Sequence, residues 1–540
     1  MTQVSVWVGA GVLTAGVSAA LLGGAGTAGA NTDGGPNTGP ANKAATSNAT
    51  SRAGSAPDRD AAASRKTRAA SASSTATVPT GGTRKLLTHT SQQSPVTAEA
   101  TTATESTAPP AAPTSRAASA SRAARAAGVT GSAAEQTATI PGIGGILGPF
   151  QPDYPPLVRA LGSAIFSLLG AVVQATDGPP VVPPELKGSV QVSSSTLVIA
   201  PGTEVAADWY FPTGGGQPQR LIYLQHGILA TGPMYSYTAS YLAQRTNSIV
   251  VVTTITSNPF ADNGMWLGGD NLHNAVAQLF LDDNRTALNA SLTTATLKAG
   301  ATALTVPDEF VLVGHSLGGG FAPGVAGHYA EGLVARRADA GGEGDTTNHL
   351  AGVVTLDGVP FSPIMPNALD RLKALEDSNN GDAADYVPVY EIGAPLNYLN
   401  SLSEINEDLT AARPGKFNGV VVNGGVHMDS MLGGNPLIQA AAYLVAGIPQ
   451  PQNPPAVQLL MAGWINDMFA GTVDPVTGRC LGPDCQGAYG DPGDTIVIPT
   501  DQGQASAVVI GSGALPATPT ITSDRFEPIA AASIPLSIAV

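Results

Sequence analysis

From residue 189 onward, hydrophobic positions fall into two alternating patterns. Eight short runs rich in β-favouring residues read as strands: SVQVSSSTLVIA and EVAADWYFP as an antiparallel lead-in pair, then RLIYLQHG, SIVVVTTI, EFVLVGH, LAGVVTLD, YVPVYEIG and KFNGVVVNGG. Between and after the later strands lie segments with helical character: YSYTASYLAQR, NLHNAVAQLFLDDNRTALNA, FAPGVAGHYAEGLVARR and PLIQAAAYLVAG. The last carries its own punctuation, with Asn435 as N-cap, Pro436 at the first helical position, and Gly447 and Pro449 as a stop. Strands alternating with helices predict an α/β fold, an eight-stranded and mostly parallel sheet with helices on both faces.

The flanks read differently. Residues 141–184 form a lead-in whose segment PPLVRALGSAIFSLLGAVVQA places Leu157, Leu161, Ile165 and Leu168 at near-helical spacing, which predicts a helix docked on the domain. Its polar face is too poor in cations to favour a membrane surface. Residues 451–540 form a C-terminal extension with a helical VQLLMAGWINDMFAG and a strand-like DTIVIP, to which the pattern assigns no role. Residues 1–30 lack charge and end in Ala28-Gly29-Ala30, the small-residue ending of an export signal, although no Lys or Arg precedes the apolar core.

Residues 31–140 are Ala, Ser, Thr, Pro and Gly with almost no large apolar side chains. Such a segment cannot bury enough surface to offset the entropy of ordering, and is expected to be a disordered linker. It carries 11 Lys and Arg against 6 Asp and Glu, while the whole chain has a net charge of −15. The basic linker leaves room for weak contact with a cell-envelope surface; the acidic remainder argues against nucleic acid as a partner. Cys480 and Cys485 are the only cysteines, close together in a Gly/Pro loop, and are expected to form one small disulfide. No metal is expected, since such a site needs more ligands nearby. A secreted or envelope-associated protein follows from these features together, and oligomeric state is not legible.

The chemistry centres on VPDEFVLVGHSLGGG, residues 306–320. A chain with 64 Gly in 540 residues yields roughly 0.5 chance matches to G-x-S-x-G, so the five letters alone prove little. Their context matters more. The run Phe310 to Val313 reads as a buried parallel strand, and a helical segment follows. Gly314 and Gly318 flank Ser316 where a sharp turn would bring backbone so close that a Cβ collides.

With LIYLQHGILATG, GHSLGGG, VVTLDGVPF and VVNGGVHMDSM in that order, residues 185–450 resemble the α/β-hydrolase superfamily. Within it the chain is similar to exported serine esterases and lipases of the mycobacterial type, with some likeness to chlorophyllase and polyester-hydrolase relatives. The resemblance implies a Ser, acid, His order along the chain. Of seven histidines, only His427 follows the last of the eight strands, which makes it the implied base for Ser316. The segment after the seventh strand offers Asn397 where many members carry a carboxylate, so the implied acid is Asp357, at the end of the sixth, with Glu404 in reserve. The backbone N–H groups of Leu317 and Ile228 are the implied oxyanion donors. His226 reads as a brace for its loop, Asp429 as a structural cap, and Tyr235 and Tyr237 as packing or pocket residues.

The function implied is that of a serine carboxylic-ester hydrolase working through an acyl-enzyme on an ester or lipid small molecule, with no cofactor. Two rivals use the same residues differently. The triad could transfer the acyl group to a sugar or lipid alcohol, or the protein could be a catalytically idle envelope-binding surface module.

Overall fold

The computed structural model describes residues 156–214, 216–339, 344–379 and 381–511. The export signal expected over 1–30, the linker over 31–140 and the first part of the lead-in lie outside the described residues.

The eight expected strands are β1 (Val190–Ala200), β2 (Thr203–Pro212), β3 (Leu221–Gln225), β4 (Ile249–Thr254), β5 (Phe310–His315), β6 (Leu350–Leu356), β7 (Val389–Gly393) and β8 (Gly419–Val422). They lie in the order β1-β2-β4-β3-β5-β6-β7-β8. Pairing is antiparallel from β1 to β2 and from β2 to β4, then parallel through β8. The sheet does not stop at eight. The C-terminal extension adds a hairpin, β11 (Thr495–Thr500) and β12 (Gly503–Val509), and β12 pairs antiparallel with β8 through Val508 opposite Val421. The result is a ten-stranded sheet with no free edge at β8.

Alternation along the central strands splits the core into two layers. Phe310 and Leu312 of β5 pack on one face with Tyr223, Phe280 and Phe321, while Val311 and Val313 pack on the other with Ile222, Leu224 and Trp464. The first face is covered by α3 (Asp270–Leu281), α4 (Thr286–Lys298), α5 (Gly318–Ala338) and α6 (Ile364–Ser378), with α7 (Ile405–Ala412) packed on α6. The second is covered by α2 (Ser236–Thr246) and by α9 (Asn453–Phe469), which belongs to the extension. Helix α8 (Pro436–Ala446) adds Ile438 to that layer, and the side chain of its N-cap Asn435 accepts from the N–H groups of Leu437 and Ile438. The second layer is thus completed by residues on either side of position 450.

The lead-in helix α1 (Pro156–Asp177) forms, but the face carrying Leu157, Leu161, Ile165 and Leu168 points outward. Docking runs through other residues: Asn258 donates to Ser163 Oγ at 2.8 Å, Phe166 meets Phe260 edge-on, and the carbonyls of Thr176 and Asp177 accept from Asn435 Nδ2. A period of 3.6 marks an apolar stripe; it does not say which neighbour the stripe meets. By length and composition, Arg159–Asp177 is also apolar enough to cross a membrane.

Cys480 and Cys485 form a disulfide beside the short pair β9 (Val473–Asp474) and β10 (Arg479–Cys480). The loop that follows is tied to α9, because Asp467 accepts from the N–H groups of Gln486 and Gly487 and from the Tyr489 hydroxyl. Trp464 is fully buried, packs edge-on against Tyr390 and Phe417, and donates its indole N–H to the Ala488 carbonyl. Trp464→Ala is therefore expected to cost about 3–5 kcal/mol, measured by denaturant unfolding, through the cavity left between the extension and the sheet.

Candidate active site

The carboxyl ends of β3, β5, β6, β7 and β8 come level at one edge, with Gln225 opposite Gly314, His315 opposite Leu356 and Leu356 opposite Ile392. Ser316 follows β5 directly and sits at φ 57°, the left-handed region that a serine enters only when its surroundings hold it there. The N–H of Ser316 donates to the Leu356 carbonyl, and its own carbonyl accepts from Gly319 and Val359. Close approach explains the flanking glycines. A Cβ on Gly314 would lie 1.8 Å from the Gly318 oxygen, and one on Gly318 would lie 2.5 Å from the Gln225 oxygen.

Asp357 follows β6, also at positive φ, with its N–H donated to Ile392 of β7. Its Oδ2 accepts from His427 Nδ1 at 2.5 Å. Its Oδ1 accepts from the Ala394 N–H at 2.9 Å and from Asn400 Nδ2 at 3.0 Å. Burial works to raise the Asp357 pKa, but the hydrogen bond and charge of His427, with the Asn400 and Ala394 donors, outweigh it and leave the carboxyl below its ordinary value. His427 lies in the turn after β8, closed by Asp429, whose Oδ2 accepts from the Val426 N–H.

Ser316 and His427 line one cleft of about 540 Å³, open to solvent at its mouth, together with Ile228, Ala230, Leu317, Val359, Phe361 and Met428. Gly227 closes its floor, where a Cβ would lie 2.8 Å from Ser316 Cβ. Ile228 and Leu317 line the cleft, and among the described residues neither backbone N–H has a hydrogen-bond partner, whereas their neighbours Gly227 and Leu229 donate to Tyr235 and Ser257.

A strand-to-helix elbow presenting a serine above the sheet, followed in the chain by an acid and a histidine that pair with each other, defines the architecture. The chain has the α/β-hydrolase fold. No protein-family model matches it, and no curated protein does. Among solved structures it is similar to a brefeldin A esterase described as a bacterial homologue of human hormone-sensitive lipase, at 15% identity and TM-score 0.34, covering 59% of this chain and 87% of that one. It is also similar to carboxyl esterase 2 of the mycorrhizal fungus Tuber melanosporum, at 13% identity and TM-score 0.34, covering 58% and 99%. A thermostable esterase from Pseudomonas putida aligns at 17% identity and TM-score 0.31, covering 55% and 96%. The fold assignment rests on the elbow and the strand order, not on those likenesses.

Around the Asp357–His427 pair lie residues the sequence singled out and others it did not. Asn397 makes no contact with the acid; Asn400, three residues on, does, and Asn397 uses its side chain to shape the loop by accepting from Leu399 and Asn400 N–H. Glu404 is exposed at the start of α7, away from the cleft lining. His226 braces its loop, with Nε2 accepting from the Ile255 N–H and Nδ1 donating to the Gly227 carbonyl, and burial lowers its pKa to about 4. Glu391, unremarked as a polar residue inside an apolar strand, is buried beside Asp357; its Oε1 accepts from the Gly358 N–H at 3.1 Å and its Oε2 has no hydrogen-bond partner among the described residues.

Burial, with the charge of Asp357 adding to it, pushes the Glu391 carboxyl up to about 8. Mainly through burial, Asp429 is pushed up to about 7. Glu391 therefore holds a proton in the fold that it gives up near its ordinary pKa when unfolded. Stability from this group is present at low pH and lost as pH rises from the unfolded value through about 8. The melting temperature of Glu391→Gln, which keeps an acceptor for Gly358, is expected to gain on the wild type progressively from about pH 5 to pH 8, followed by calorimetry at a series of pH values.

Proposed function

We propose that this α/β-hydrolase cleaves carboxylic esters through an acyl-enzyme. Ser316 attacks the carbonyl carbon while His427 takes its proton through Nε2, the nitrogen left when Nδ1 is bound to Asp357. Asp357 holds the imidazole in that tautomer and stabilises it as an imidazolium. The tetrahedral oxyanion is met by the Leu317 and Ile228 N–H groups, His427 returns the proton to the leaving alcohol, and water then repeats the sequence to release the acid. The observation that carries the reading is His427, paired with Asp357, lining the same cleft as a serine on a strained elbow.

The cleft wall favours neutral esters with an apolar acyl chain, since Ile228, Leu317, Val359, Phe361, Leu399, Met428 and Met431 line it and no Lys or Arg does. We further infer action outside the cytoplasm, supported by the Cys480–Cys485 disulfide and the uncharged opening of the chain.

A nitrophenyl-ester chain-length series tests the reading. Wild type is expected to turn over, Ser316→Ala to be inactive and unreactive to a fluorophosphonate, Asp357→Asn to lose about 10⁴-fold in kcat, and Glu404→Gln to stay within about twofold. Activity that survives Ser316→Ala would falsify the mechanism, and a yield of alkyl ester above free acid with an added alcohol would move the protein to the acyltransferases.

A further inference from the structure

We propose that Tyr235 and His315 are positioning residues, forming a one-directional hydrogen-bond relay that holds the oxyanion loop and the backbone of His427 in fixed relation across Ser316. The inference rests on the hydrolase reading above and extends it to two side chains that also line the cleft but hydrogen-bond to Gly227, to each other and to the His427 backbone.

The relay has two backbone ends, and these set its direction. At one end the Gly227 N–H donates to Tyr235 Oη at 3.2 Å. At the other the His427 carbonyl accepts from His315 Nε2 at 2.7 Å. Between them Tyr235 Oη lies 2.5 Å from His315 Nδ1. A carbonyl only accepts, so His315 carries its proton on Nε2 and offers a lone pair at Nδ1; an amide N–H only donates, so the Tyr235 hydroxyl must send its own proton to His315. One proton arrangement satisfies every atom. The reverse arrangement would need an imidazolium at His315 and would strand the tyrosine proton.

Each end of the relay abuts a group with a role in the reaction. Gly227 precedes Ile228, whose N–H is a proposed oxyanion donor, and a Cβ on Gly227 would press on both Ser316 and His315. His427 is the proposed base, its ring centroid 4.8 Å from that of His315. His315 is kept uncharged by its surroundings, which matters because His427 must become an imidazolium beside it. The titratable groups around His315 are Tyr235, His427, Asp357 and His226. Burial first, and then the neighbouring His427, lower the His315 pKa to about 3.

The test uses the full chain in Tyr235→Phe, His315→Leu, His315→Gln and the Tyr235→Phe/His315→Leu double variant. Tyr235→Phe and His315→Leu are expected to lower kcat by about 10- to 100-fold with a change in KM of no more than about threefold, because the donors and the base are displaced while most of the apolar cleft lining is kept. His315→Gln, which retains one donor and one acceptor, is expected to recover part of that loss. The double variant should lose no more than the worse single one, since both cut the same chain. In the wild type, nitrogen NMR of the labelled imidazoles should find His315 neutral and protonated on Nε2 from pH 5 to 8, a readout that needs no variant to fold. Full kcat in Tyr235→Phe and His315→Leu, additive losses, or a His315 that carries its proton on Nδ1 or titrates in that range would each overturn the relay. If wild type turns over, Ser316→Ala does not and Tyr235→Phe is unimpaired, the relay alone falls; a wild type with no ester turnover removes the hydrolase reading and the relay with it.

Discussion

The architecture of the site depends on how closely three backbone segments approach one another beneath Ser316. The turn after β5 touches the end of β3, where Gly318 packs on the Gln225 and His226 carbonyls, and it touches the loop after β6, where a Cβ on Gly319 would lie 2.4 Å from Gly358 Cα. No side chain fits in these contacts. The glycines are therefore what allow a serine at positive φ, the loop after β3 and the turn bearing Asp357 to occupy one small volume. The strain at Ser316 and Asp357 is held by backbone hydrogen bonds to β6 and β7, so the neighbouring strands maintain the elbow as much as the elbow's own residues do.

Electrostatics in the same volume follow from burial. Asp357, Glu391 and Asp429 are all buried, and three carboxylates could not share a dry region as anions. Hydrogen bonding decides which one ionises. Asp357 receives three donors, from His427, Asn400 and Ala394, while Glu391 and Asp429 each leave an oxygen without a partner. The pKa values separate accordingly, one down and two up. His226 and His315 are kept neutral by burial, and the one carboxyl held below its ordinary value is the one paired with His427.

The C-terminal extension belongs to this economy of burial. Strand β8 carries the turn that holds His427, and an open edge there would leave backbone donors and acceptors exposed. Strand β12 takes that edge, and α9 covers the sheet face beneath it, with Trp464 filling the space against Tyr390 and Phe417. The turn that presents the imidazole is thereby anchored on both sides of its strand.

Local chemistry in the sequence determined the strands, the elbow and the capping of α8, because each depends on residues within a few positions: the apolar, β-favouring run Phe310 to Val313, glycines about Ser316, and Asn435-Pro436 at a helix start. The order of Ser316, Asp357 and His427 along the chain was legible through the family resemblance. Which amide meets Asp357, Asn397 or Asn400, turned on how one loop folds back. That Tyr235 and His315, 80 residues apart, share a hydrogen bond is a matter of strand order. So too are the neutral Glu391, the outward face of α1 and the hairpin on β8. These are contacts between distant segments, and composition and periodicity carry no record of which surfaces meet; only the folded sheet sets those distances, and with them the burial that decides each charge.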